Sequence, residues 1–212
     1  MDITHIRGKY TTKGLDIPDL NSDPFKQFEQ WFQDAIDEQM PEPNAMMLAT
    51  VGADMMPSVR AVLLKTFDEK GFVFFTNYKS KKARQIDENP QASSLFSWIP
   101  MERQIKIEGT IEKISTTDSL KYFLSRPKGS QIGAWVSHQS SIITSRSLLE
   151  QKFDEIKRKF VKGEVPFPDF WGGYIIKPVR IEFWQGGQDR LHDRFLYEKD
   201  ENNEWTIKRL AP

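Results

Sequence analysis

Arg103-Gln-Ile-Lys-Ile-Glu-Gly-Thr-Ile111 carries Ile105, Ile107 and Ile111 in alternation with polar residues. That period of two marks a strand with one face in a core and one in water. The neighbouring runs follow the same pattern. AMMLATV (45–51), SVRAVLLKT (58–66), GFVFFT (71–76) and ASSLFSW (92–98) precede it, all short and rich in β-branched or aromatic residues. GADMMP and DEKG read as the turns between the first three. YIIKPVRIEFW (174–184), DRFLYEK (193–199) and EWTIKRL (204–210) follow it as three further strands.

Helices punctuate the strands. Asp23 can cap a helix that has Pro24 at its first position and Phe25, Phe28, Phe32, Ala35 and Ile36 on one face. Ser80 to Glu88 predicts a short helix closed by Asn89-Pro90. Thr116 to Arg126 predicts another, stopped by Pro127. Ser147-Leu-Leu-Glu150 reads as a capping box opening a helix with Leu149, Phe153, Ile156 and Phe160 on one face, ending at Gly163. Residues 1–21 are polar and aperiodic, so they read as a flexible N-terminal arm, and 22–212 as one domain. The expected class is mainly β with peripheral helices (α+β), a β-barrel with helical decoration.

Composition narrows function. The 212 residues hold 30 Lys plus Arg and 30 Asp plus Glu, a balance that argues against a general nucleic-acid binder. There is no Cys, which excludes disulfides and thiolate chemistry and fits a reducing compartment. His5, His138 and His192 are widely spaced, so no zinc motif is signalled and no metal is expected. The first residues lack the apolar core of a secretory signal, and no apolar run is long enough to span a bilayer. A cytoplasmic protein is expected. Dinucleotide-binding, P-loop and nucleophile-elbow motifs are absent from the sequence.

Four constellations can carry chemistry. Asn77-Tyr-Lys-Ser-Lys-Lys-Ala-Arg84 places Lys81 and Lys82 in the first turn of a helix, where the macrodipole is already positive. A bound anion resolves that conflict; a solvated basic turn is the alternative. Arg60 and Lys65 lie five apart on one strand, on opposite faces unless a bulge intervenes, and otherwise read as strand-end charges reaching water. Arg190, His192 and Arg194 fall on one face if that segment is extended, either for an anionic or electron-rich ligand or as charges on a solvated edge strand. Tyr122 and Arg126 share a helix face, with Ser130 in a Gly-containing loop beyond, a set suited to phosphate or an ordinary helix end.

Taken together, RAVLLK (60–65), FFTNYKSKKARQI (74–86), ERQIKIEG (102–109), KYFLSRPKGSQIGAWVSHQSS (121–141), FWGGY (170–174) and IEFWQGGQDRLHDRFLY (181–197) resemble the pyridoxine/pyridoxamine 5'-phosphate oxidase family. The resemblance runs from about residue 7 to the terminal IKRLAP. It implies an FMN-binding split β-barrel, a homodimer with FMN across the interface, and oxidation of pyridoxamine or pyridoxine 5'-phosphate to pyridoxal 5'-phosphate, with oxygen reduced to hydrogen peroxide. Neither nucleic acid nor membrane is an expected partner. FMN would contact Arg60, Ala61, Val62, Leu63, Leu64, Lys65, Phe75, Thr76, Lys81, Lys82 and Gln104. Gln139, Ser140, Trp184 and Arg194 would complete that site, largely from the second chain. The substrate phosphate would meet Lys65, Tyr122, Arg126 and Ser130. Arg190 and His192 would face the substrate ring as the catalytic pair, and Arg7 and Tyr10 would close over it. Phe75 stands where some members have Tyr, and Lys81 where some have Arg, which removes a hydroxyl and a planar fork respectively. Other readings are a different split-barrel FMN oxidoreductase or a non-catalytic flavin-binding protein.

Overall fold

The strands β1 (Ala45–Val51) and β2 (Pro57–Asp68) form an antiparallel hairpin, and β3 (Gly71–Asn77) returns along β2. The computed structural model describes residues 1–5, 10, 14–136, 139–161 and 163–212. On the other side of β1 lie β4 (Gln91–Trp98), β5 (Arg103–Lys113) and β6 (Trp171–Gln185), then β7 (Asp193–Lys199) and β8 (Trp205–Leu210). A β3–β6 pairing closes strands β3-β2-β1-β4-β5-β6 into a barrel, and β7 and β8 extend the sheet beyond it.

The length of β6 makes this possible. Its first half pairs with β3, its second half with β7, and β5 runs along both. Val179 of β6 is an extra, unpaired residue opposite the Glu108–Gly109 step, a bulge that bends the ladder. A Cβ on Gly109 would lie 2.0 Å from the Lys177 carbonyl oxygen, so the bend requires glycine there.

Helix α1 (Pro24–Asp37) packs against the barrel core. Asp23 caps it by accepting from the Phe25 N–H at 2.9 Å. Phe28 is fully buried, edge-on to Phe72 and Phe96. The expected apolar face shifts by one position: Ile36 is 46% exposed, and Trp31 is buried at 2%. Phe28, Trp31 and Ala35 form the i, i+3, i+7 stripe, and Ile36 stands about 100° round the helix from Ala35.

Helix α2 (Lys81–Glu88) follows β3, with Ser80 Oγ accepting from the Ala83 N–H at 3.3 Å. Helix α3 (Thr116–Ser125) ends before Pro127, as expected. Two sequence expectations fail. The stretch after Pro127 is helix α4 (Lys128–Val136), not a loop, so Ser130 sits in a helical first turn. Gly129 and Gly133 suggest a break, but Ile132 and Val136 are buried with Phe123 and Trp171 in a second core cluster. Helix α5 (Arg146–Lys159) is capped two residues before the expected Ser147. Ser145 is its N-cap residue, and the Ser147 hydroxyl is hydrogen-bonded to that of Ser145. The face of Leu149, Phe153, Ile156 and Phe160 packs on the second cluster as expected.

Part of the segment read as an arm is fastened. The Leu15 N–H donates to Asp193 Oδ2 at 2.9 Å, Arg209 pairs with Asp16, and Tyr197 Oη donates to the Asn21 carbonyl. No helix among the described residues is long and apolar enough to cross a membrane.

Candidate active site

The barrel wall at β2 and β3 carries the first half of the site. In β2, Arg60, Val62 and Leu64 point inward while Ala61 and Leu63 point outward. A register shift at Lys65 supplies the bulge that the sequence left open, and Lys65 is exposed on the outer side. Outside this wall lies a cleft of about 640 Å³, lined by Ala61, Val62, Leu63, Lys65, Phe75, Thr76, Lys82, Gln139 and the helical residues Tyr122, Arg126 and Ser130. Leu64 does not reach it. Its side chain is buried in the barrel core, and its N–H and carbonyl are both hydrogen-bonded to Asn44.

At one end of the cleft stands the N-terminus of α2. Lys82 Nζ donates to Thr76 Oγ1 and Gln139 Oε1, each at 2.9 Å. The Lys81 N–H donates to Ser140 Oγ at 3.2 Å. Gln139 and Ser140 are thus brought to these residues within one chain, whereas the resemblance assigned them largely to the second. Burial, and then the charge of Arg60, lower the Lys82 pKa to about 8.

At the other end, Tyr122 stacks on Phe75 with centroids 3.9 Å apart, and Phe75 stacks on Trp171 at 5.3 Å. The Arg126 guanidinium lies 4.7 Å from the Trp171 ring centroid. Its Nη1 is buried and has no hydrogen-bond partner, and burial lowers its pKa. Ser130, Gly133 and Ala134 present one face of α4 to the cleft. Trp171, absent from the candidate residues, floors this end. The signal for it was in the FWGGY string, where a Cβ on Gly172 would collide with the Tyr78 hydroxyl at 2.1 Å, so the strand presses close at this point. Among the described residues, no carboxylate lies within ion-pair reach of Arg60, Lys65, Lys81, Lys82 or Arg126. Of these, Lys65, Lys82 and Arg126 line the cleft, while the Arg60 guanidinium is held inside the wall by Leu48, Thr50, Ser58 and Gln85. Cations without acidic partners at one cleft, one with an orphaned buried donor, suit phosphate groups.

The second half lies elsewhere. Gln104, Trp184 and Arg194 line a separate hollow of about 290 Å³ where β5, β6 and β7 meet. The expected shared face of Arg190, His192 and Arg194 is not formed. Gln188–Arg190 is a 3-10 turn with positive φ at Asp189 (52°) and Arg190 (65°), and only Arg194 belongs to the strand. Nor is Arg194 free of acids: its Nε donates to the buried Glu182 at 2.7 Å, and Lys106 reaches the same carboxylate at 3.1 Å. Burial pushes the Glu182 carboxyl up, and these two partners together hold it below its ordinary value.

His192 Nδ1 accepts from the Gly187 N–H at 3.1 Å, which leaves the ring proton on Nε2, the outward donor. Tyr10 packs edge-on against His192 at 4.9 Å and near Trp184 at 5.9 Å. Arg7 lies outside the described residues.

A closed antiparallel barrel with a phosphate-suited cleft on its wall defines the class of FMN-binding split-barrel proteins. An FMN-binding protein of Nostoc punctiforme, related to pyridoxamine 5'-phosphate oxidase, has this fold at a TM-score of 0.73 over 91% of the chain and 100% of its own, with 15% identity. The family model for pyridoxamine 5'-phosphate oxidase matches residues 32–160, and that for the pyridoxine 5'-phosphate oxidase C-terminal dimerisation region matches 171–212. The chain belongs to the pyridoxamine 5'-phosphate oxidase family. It is 76% identical to the pyridoxine/pyridoxamine 5'-phosphate oxidase of Aliarcobacter butzleri over all of both chains. It is 54% identical to that of Escherichia coli over 99% of this chain and 96% of the relative. PhzG from Burkholderia lata 383, crystallised with tetrahydrophenazine-1-carboxylic acid, is 30% identical with a TM-score of 0.89, covering 97% of this chain and 100% of its own.

Proposed function

We propose that two copies of this chain build composite sites in which FMN-dependent oxidation converts pyridoxamine or pyridoxine 5'-phosphate to pyridoxal 5'-phosphate. The observation that carries the two-chain reading is the separation of the halves. Trp171, in the cleft, begins β6, and Trp184 and Gln185, beside His192, end it. Fourteen residue steps of strand span up to about 46 Å, too far for one small substrate to bridge. An isologous dimer brings each chain's cleft to the other's Arg190–His192 turn and forms two equivalent sites.

FMN bound there would supply a two-electron acceptor for the substrate, with oxygen as the final oxidant, reduced to hydrogen peroxide. The protein residues bind and orient. Arg60, Lys81, Lys82 and the N-terminal amides of α2 take the flavin phosphate. Ala61, Val62, Leu63 and Lys65, with Phe75, Thr76, Gln139 and Ser140, hold the rest. Gln104, Trp184 and Arg194 of the second copy complete that enclosure. Lys65, Tyr122, Arg126 and Ser130 take the substrate phosphate. Arg190 steadies the pyridine ring, and His192 donates from Nε2 to orient the substrate. Tyr10, already docked on His192, covers it.

The purified protein is expected to be yellow, to release FMN, and to bleach anaerobically when pyridoxamine 5'-phosphate is added. Extraction of FAD, or a bound flavin that the substrate does not reduce, would overturn this reading.

Lys82 sets a pH dependence. A phosphate dianion favours the protonated amine, so binding raises the pKa of Lys82 above its free value of about 8. Above that pH the free protein must first take up a proton. FMN affinity should therefore be level between roughly pH 7 and 8, where the phosphate is already a dianion, and fall above it by up to about tenfold per unit. Lys82→Met should bind more weakly and lose this limb. A titration series in which both proteins show the same profile would remove Lys82 from the phosphate site.

A further inference from the structure

Gln85 lies on the buried face of α2, beyond the lysines at its N-terminus, and is 5% exposed. Its Oε1 accepts from Thr50 Oγ1 and Ser58 Oγ, each at 2.7 Å, and from Arg60 Nη2 at 3.4 Å. Its Nε2 donates to the Met56 carbonyl at 3.4 Å. Arg60 Nη1 donates to the Leu48 carbonyl at 3.1 Å and Thr50 Oγ1 at 2.6 Å, and Nη2 donates to Ser58 Oγ at 2.5 Å. Thr50 and Ser58 face each other across the β1–β2 ladder. One carbonyl on α2 thus gathers two hydroxyls and a guanidinium from two strands.

Every acceptor in this network is neutral. The guanidinium is held in place, yet its charge is not cancelled. A carboxylate at the same position would hold it equally well and cancel it. A cation fixed by neutral oxygens, close enough to lower the Lys82 pKa, keeps the ground behind the α2 N-terminus positive.

We propose that Gln85 is a positioning residue for the flavin phosphate, fixing the Arg60 guanidinium behind the N-terminus of α2 while leaving its charge available to the anion. This rests on the assignment of that N-terminus to the FMN phosphate. The proposal concerns only the phosphate end of the cofactor, so riboflavin, which lacks the phosphate, is the internal control.

The test titrates the full-length protein, stripped of flavin, with FMN and with riboflavin. Gln85→Glu preserves size and the oxygen that accepts from Thr50, Ser58 and Arg60, gives up the donor to the Met56 carbonyl, and pairs Arg60 internally. It should weaken FMN binding by about 10- to 100-fold and change riboflavin binding by less than about threefold. Gln85→Met removes the acceptor without adding charge and should cost FMN about three- to tenfold, again sparing riboflavin. An FMN-to-riboflavin affinity ratio equal to wild type in the folded variants, or parallel losses for both flavins, would overturn the proposal. So would failure of both variants to fold, since Gln85 would then be structural. If only Gln85→Glu fails to fold, Gln85→Met decides. A wild-type protein that binds the two flavins equally, and whose Lys82→Ala variant does the same, would instead remove the phosphate assignment itself.

Discussion

Arg126→Ala is expected to lower kcat/KM for pyridoxamine 5'-phosphate by roughly 10- to 150-fold, the range set by losing one charge-assisted contact of about 1.5–3 kcal/mol. The free protein already shows why the effect should be specific. Arg126 Nη1 is buried without a hydrogen-bond partner, so in the absence of ligand the side chain carries a desolvation cost that no hydrogen bond at that atom offsets. Removing it forfeits the contact with Trp171 but also relieves that cost. Thermal stability should therefore change little while substrate affinity collapses. The unphosphorylated vitamins supply the control, because they have no phosphate for the guanidinium to meet. Steady-state kinetics with both kinds of substrate decide the point: equal losses would make Arg126 a prop for α3 instead.

Arg190→Ala should cut kcat/KM by about 100-fold with FMN content and melting temperature nearly unchanged, the size of effect produced when a substrate is misplaced by about 1 Å. Arg190 is exposed, and it follows Asp189 in a turn where both residues have positive φ. Such backbone costs on the order of 1–3 kcal/mol for a residue other than glycine. The fold supplies no described hydrogen bond or ion pair to the Arg190 side chain that would repay it, so its loss should be silent in folding. His192→Asn should hurt less than Arg190→Ala, because Asn keeps a donor where Nε2–H stood. Wild-type kinetics in Arg190→Ala would overturn the assignment. Mixing the two variants tests the composite site directly. If Arg126 serves from one chain and Arg190 from the other, dissociating and reassociating an equal mixture of Arg126→Ala and Arg190→Ala regenerates about a quarter of the wild-type sites. If both residues serve from the same chain, no wild-type site is regenerated.

How much of this was legible from residue order depends on range. The eight strands were readable because alternation is local: Ile105, Ile107 and Ile111 announce a buried face with no reference to what covers it. The start of α1 was readable because Asp23 and Pro24 act within one turn, and the basic first turn of α2 because Ser80, Lys81 and Lys82 are consecutive. Motif resemblance then supplied the family. Other features hang on partners far along the chain. Helix α4 forms despite two glycines because Ile132 and Val136 find Phe123 and Trp171. Arg194 turns to Glu182 because β6 and β7 pair in that register, and Arg190 leaves the strand because a 3-10 turn intervenes. Gln85 reads as an ordinary helix residue until β1 and β2 deliver Thr50, Ser58 and Arg60 to it. By itself the sequence determined the strands and most of the helices, the cationic residue types and the family, since each is set by neighbours within a few positions or by a contiguous string. The tertiary structure alone decided which cations remain unpaired and that the two groups of candidate residues stand at opposite ends of β6, because charge pairing and separation depend on the contacts made when the barrel closes.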